Sequence, residues 1–159
     1  MTRPRFLADE MLGTLARWLR IMGYDTEYAR DLLDGEVLKM AASEDRIILT
    51  RDKQLAQRAR GRGLLIESEV LEEQLEQVAD AFGLGGADLM PRCTVCNGEL
   101  RTVRAEEVVG RVPERVLELR DEFYVCPRCG QIYWKGTHWD NIHRKLDRII
   151  GPRDGNSPR

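Results

Sequence analysis

The stretch Ile47-Ile48-Leu49-Thr50-Arg51-Asp52, IILTRD, runs three large apolar residues directly into a threonine, an arginine and an aspartate. An unbroken apolar run this short reads as a buried strand. Residues 5–8 (RFLA) and 64–66 (LLI) repeat the signal, and residues 24–28 allow a further strand. Helical patterns lie between them. Met11, Leu12, Leu15, Trp18, Leu19 and Met22 share one helical face, closed by Gly23. Val37, Leu38 and Ala41 mark a short helix and Leu55, Ala56 and Ala59 another. Leu71, Leu75, Val78 and Phe82 mark a helix beginning near Ser68. Strands alternating with helices predict an α/β fold, a parallel sheet flanked by helices.

The aspartate at the mouth of the strand then acquires a context. Asp52 and Asp9 each follow a candidate strand and precede a candidate helix, and Asp34 opens the helix carrying Val37. Singly, each reads as a helix N-cap. In a parallel sheet, however, the C-terminal strand ends share one edge, the usual ligand crevice. Carboxylates gathered there repel unless a cation lies among them, and an all-oxygen set selects Mg²⁺ or Mn²⁺.

The segment GLGGADLMP, residues 83–91, interrupts the pattern, and all four cysteines follow it. This predicts a first domain over residues 1–88, a second over 89–150 ending in a helix, and a disordered polar tail over 151–159. The cysteines form two pairs, Cys93-Thr-Val-Cys96 and Cys126-Pro-Arg-Cys129, each with a glycine close behind. Two such turns supply the tetrahedral sulfur set of a structural zinc, with no position open for a reactive water. The spacer leaves room for a hairpin and an insertion around Pro113–Asp121. Beyond it, Tyr133, Trp134 and Trp139 alternate with Lys135 and His138. Rings beside cations suit unpaired nucleic acid, and the same rings also suit packing of the ribbon. Trp139, Ile142, Leu146 and Ile149 line one face of the final helix.

Of the 159 residues, 42% are hydrophobic and 33% charged, which is enough apolar material for a core. No apolar run approaches the length of a membrane span and no secretory signal is visible, so a cytoplasmic location is expected. The net charge of −2 conceals an asymmetry. Residues 1–88 carry 12 Lys/Arg against 17 Asp/Glu, and residues 89–159 carry 13 against 10. An acidic half that gathers cations and a basic half that meets phosphates fit a metal-dependent enzyme of a polyanion.

FLAD at 6–9, LGTLARWLRIMGYDT at 12–26, the segment from Asp34 to Ala41, and RIILTRD at 46–52 together resemble a PIN-like nuclease domain. With RCTVCNGEL at 92–100 and CPRCGQIYWKGTHW at 126–139, the chain resembles the Mut-seven C-terminal ribonuclease domain family, a shortened PIN-like domain followed by a zinc ribbon. The resemblance implies a metal-dependent ribonuclease with Asp9, Asp34 and Asp52 at the site. A fuller PIN domain has a further glutamate, for which Glu10, Asp31, Glu36 and Glu44 are the available acids. Arg17 and Arg20, read as facing away from the apolar stripe, and Arg51 are candidate phosphate contacts. Lys135 and His138 are candidate RNA contacts on the ribbon. The alternative is a non-catalytic RNA-binding module with a degenerate PIN-like half.

Overall fold

The computed structural model describes residues 3–85 and 90–151. Most of the expected junction near residue 88, and the tail beyond Gly151, lie outside the described residues. The first body is a four-stranded parallel sheet of β1 (Phe6–Asp9), β2 (Thr26–Ala29), β3 (Ile47–Thr50) and β4 (Gly63–Leu65), in the order β2-β1-β3-β4. The helices are α1 (Gly13–Ile21), α2 (Asp34–Glu44), α3 (Lys53–Arg58) and α4 (Leu71–Phe82). A short 3₁₀ turn, Glu10–Leu12, joins β1 to α1. Helix α4 starts at Leu71 because the Ser68 hydroxyl accepts the Val70 N–H and holds the preceding turn open.

Both sheet faces are covered, which is why the strands read as unbroken apolar runs. Phe6, Ala8 and Leu49 pack with α1 and α4 on one face, while Leu7 and Ile48 pack with Val37 and Ala41 of α2 and Leu55 of α3 on the other. Consequently the chain leaves β1 toward one face and β3 toward the opposite face. Adjacent strands whose loops diverge in this way form the switch point of an open α/β sheet, where a crevice opens.

The second body is an antiparallel sheet of β5 (Arg101–Arg104), β6 (Glu122–Val125) and β7 (Ile132–Tyr133), with α5 (Glu114–Leu119) in the anticipated insertion. Val103, Val108, Phe123 and Val125 form its small core. The last helix, α6 (Thr137–Ile150), returns to the first body. Its Leu146 and Ile150 join the α1/α4 core, and Lys145 pairs with Glu72 of α4 at 2.9 Å. No helix among the described residues is long and apolar enough to cross a membrane.

Candidate functional site

Asp9 ends β1 and Asp52 follows β3, so both stand at the switch-point crevice. The buried Thr50 ties them together. Its hydroxyl donates to Asp9 Oδ2 at 2.8 Å and accepts the Asp52 N–H at 3.0 Å. Asp9 Oδ1 accepts the Glu10 N–H, and Asp52 Oδ1 caps α3 by accepting from Gln54 and Leu55. Each aspartate is therefore an N-cap, and each carboxylate also keeps lone pairs for another partner. Asp34 opens α2 at the same edge, half exposed, with Arg58 at 3.9 Å. The three are not drawn into one cluster. Among the described residues, the only group of three or more His, Cys, Asp or Glu with ligand atoms within 4.8 Å of one another is the four cysteines. Mg²⁺ usually takes only one or two protein carboxylates beside water and substrate oxygens. Asp9 and Asp52 are the all-oxygen donors at this edge that could hold such an ion.

The surroundings separate the acids available for the further glutamate role. Glu36 accepts the Leu33 N–H and caps its own helix, and Glu44 lies at the far end of α2, bonded to Arg46. Glu10 and Asp31 remain at the edge. Tyr28, read from the sequence only as part of a strand, reaches the edge by donating its hydroxyl to the Glu10 carbonyl. A Cβ at position 13 would meet that hydroxyl at 3.2 Å, so Gly13 gives the tyrosine its room. Arg51 leans across the loop after β4, with Glu69 at 3.7 Å.

The second site is the cysteine cluster. Both knuckles have one backbone pattern. Asn97 N–H bonds Cys93 O and Gly130 N–H bonds Cys126 O, while Cys93 N–H bonds Gly98 O and Cys126 N–H bonds Gln131 O. The residue after each pair, Asn97 or Gly130, is left-handed, a conformation that Asn and Gly tolerate best. Sulfur separations of 3.5 Å for Cys93–Cys129 and 3.4 Å for Cys96–Cys126 exclude disulfides and approach the roughly 3.8 Å of tetrahedral zinc–thiolate geometry. Burial raises the Cys93 thiol, but the Tyr133 hydroxyl and the backbone N–H groups of Cys96 and Val95 bring it down to about 7. Burial, with the neighbouring thiols, pushes Cys96 up to about 12. Four such sulfurs ionise together only around a cation, so the set fits a structural zinc. A Cβ on Gly98 would lie 2.9 Å from Cys126 Sγ, so the turn admits only glycine there.

The first knuckle is also a wedge against β2, and here the structure corrects the reading of Arg20. Far from facing a phosphate, Arg20 is 6% exposed and spends its guanidinium on two carbonyls, Thr26 O at 2.8 Å and Thr94 O at 2.9 Å. The last turn of α1 lies beneath the knuckle, which turns a nominally polar helix position inward. Asn97, 1% exposed, accepts the Thr26 N–H through its side-chain oxygen and donates to Asp25 and Glu27. Asp25 also receives Arg46 at 2.8 Å and Arg5 at 3.3 Å. Burial would raise its carboxyl, but hydrogen bonds from Arg46 and Asn97 bring it down from 3.8 to about 2.

The remaining sequence candidates lie on the outer surface. Arg17 is exposed on α1, and His138 is exposed in the first turn of α6. Lys135 sits over the rings of Tyr124 and Trp139, at 5.6 and 5.3 Å. Trp134 packs edge-on to Phe123 in the ribbon core. Comparison of the chain with protein families finds a match over residues 4–146 to the model described as the Mut7-C RNAse domain. No curated protein and no solved structure matches the chain.

Proposed function

Because the chain belongs to the Mut7-C RNAse domain family, we propose that it hydrolyses RNA phosphodiester bonds at the edge bearing Asp9, Asp34 and Asp52. The observation that carries this reading is the Thr50 bridge, which ties Asp9 to the Asp52 backbone across the switch point. A bound Mg²⁺ or Mn²⁺ would supply a water of lowered pKa and neutralise charge on the scissile phosphate. The chain's own contribution is positional. Thr50 fixes one oxygen of Asp9, the α3 cap fixes Asp52, and both keep their remaining lone pairs for the ion. Arg17 and Arg51 are candidate cations to offset phosphate charge, and the ribbon adds candidate RNA contacts through Lys135 and His138. No side-chain nucleophile is required.

Asp9→Asn tests the assignment. With zinc retained, RNA cleavage stimulated by added Mn²⁺ should fall more than about 100-fold, beyond the usual cost of losing a supporting metal-site residue. The melting temperature should move little. An unchanged rate rules the assignment out. A second reading, a binding module without catalysis, is favoured by the spacing of the carboxylates and by Glu36 and Glu44 being committed to the fold. Under that reading the zinc-loaded wild type binds RNA and shows no Mn²⁺-dependent cleavage.

A further inference from the structure

Resting on the reading that the chain acts on RNA, we infer that the cleft between α1 and the ribbon holds one unpaired nucleotide of that RNA. The cleft measures about 340 Å³ and is lined by Arg17 of α1, by Tyr133 and Trp134 of the ribbon, and by His138, Trp139 and Ile142 of α6. That volume lies at the small end of the roughly 300 to 1,000 Å³ typical of ligand sites. Its walls are set in advance. Trp139 is held by His143 at 4.4 Å between ring centroids and by Lys135, so it forms a fixed wall. Trp134 meets Phe123 edge-on, stays partly exposed and lines the cleft.

A flat indole beside a cation recognises any base with its phosphate, and a base still stacked in a duplex cannot reach it. Arg17 supplies the cation, exposed on α1. It stands four residues along α1 from Gly13, about 6 Å of helix rise from the turn that carries Asp9. Arg17 thus stands midway along α1, between the turn at Asp9 and the last turn, where the Arg92 N–H bonds the Arg20 carbonyl, and a base seated against Trp134 would set its phosphate at Arg17. The positive charge of the back half complements the same ligand.

The test is fluorescence anisotropy of the full zinc-loaded chain with a labelled oligoribonucleotide, free or annealed into a blunt duplex, without Mg²⁺ or Mn²⁺. The single strand should bind more tightly than the duplex and should quench tryptophan emission. Trp134→Leu, which keeps the apolar packing, should weaken single-strand binding about tenfold, as expected for one lost stacking contact. Trp134→Phe should restore most of the affinity and reduce the quench, leaving the share that comes from Trp139. Arg17→Glu should weaken binding and lower its salt dependence. Equal affinity for duplex and single strand, absence of quenching, or wild-type affinity in Trp134→Leu each overturns the proposal. A chain that binds single strands through Trp134 without cleaving them keeps the pocket and sinks the nuclease reading. One that cleaves RNA, with Trp134→Leu indistinguishable from wild type, does the reverse.

Discussion

Thr50 has one hydroxyl and uses it twice, donating to the Asp9 carboxylate and accepting the Asp52 N–H. Thr50→Val keeps the shape of the side chain and deletes both bonds. Cleavage should drop roughly 10- to 100-fold, while stability falls by only about 1 to 2 kcal/mol. A Mn²⁺ titration of the rate against a urea melt would separate the two effects. Asp25 answers to pH. Its carboxyl sits at about 2 in the fold against an ordinary 3.8, so the unfolded chain binds the proton more readily. The stabilisation, about 2 kcal/mol, is complete above roughly pH 4 and is lost as the pH falls toward 2. The difference in urea midpoint between wild type and Asp25→Asn should accordingly be large at pH 6 and shrink steadily below pH 4. A difference that stays constant over this range would show that the carboxylate charge is not what matters.

At the level of the element, the knuckle turn is the least forgiving piece of the molecule. Gly98→Ala forces a methyl to within 2.9 Å of Cys126 Sγ, and zinc affinity should fall by at least about tenfold in competition with a chromogenic chelator. The elements themselves are largely legible in the residues. Periodicity finds β1, β3, β4, α1, α4 and α6, because burial on two sheet faces or one helix face leaves a repeating apolar trace. Cysteine spacing finds the metal site without help from the fold. What periodicity cannot show is which polar position faces another element. Arg20 occupies a helix phase that reads as solvent, yet the knuckle lies over it. Asn97 carries no apolar signal, although an Asn directly after a Cys-x-x-Cys turn was a sign of left-handed backbone. The acidic edge is legible as an edge, since strand-to-helix order dictates which ends meet. Carboxylate spacing depends on side-chain rotamers and charge repulsion, which order alone does not encode.

Across the whole molecule, the acidic front and basic back meet through Arg92 and Asn97 on one side and Asp25 and Glu27 on the other. Helix α6 completes the core of the first body. Zinc removal should therefore weaken both bodies together, in a single calorimetric transition at lower temperature, with hydrogen exchange rising at the Thr26 amide. A separate early transition confined to the back half would show that the bodies are independent. The same architecture has a bearing on how the protein survives at high concentration. Strand β2 lies at the margin of its sheet, and its outward amide and carbonyl at Thr26 are taken by Asn97 and Arg20; at the other margin Gln77 occupies the Leu65 carbonyl. Pulling away the knuckle would bare a ready template on which neighbouring chains could lay down strands, so metal starvation would be felt as loss of solubility through strand-to-strand self-association.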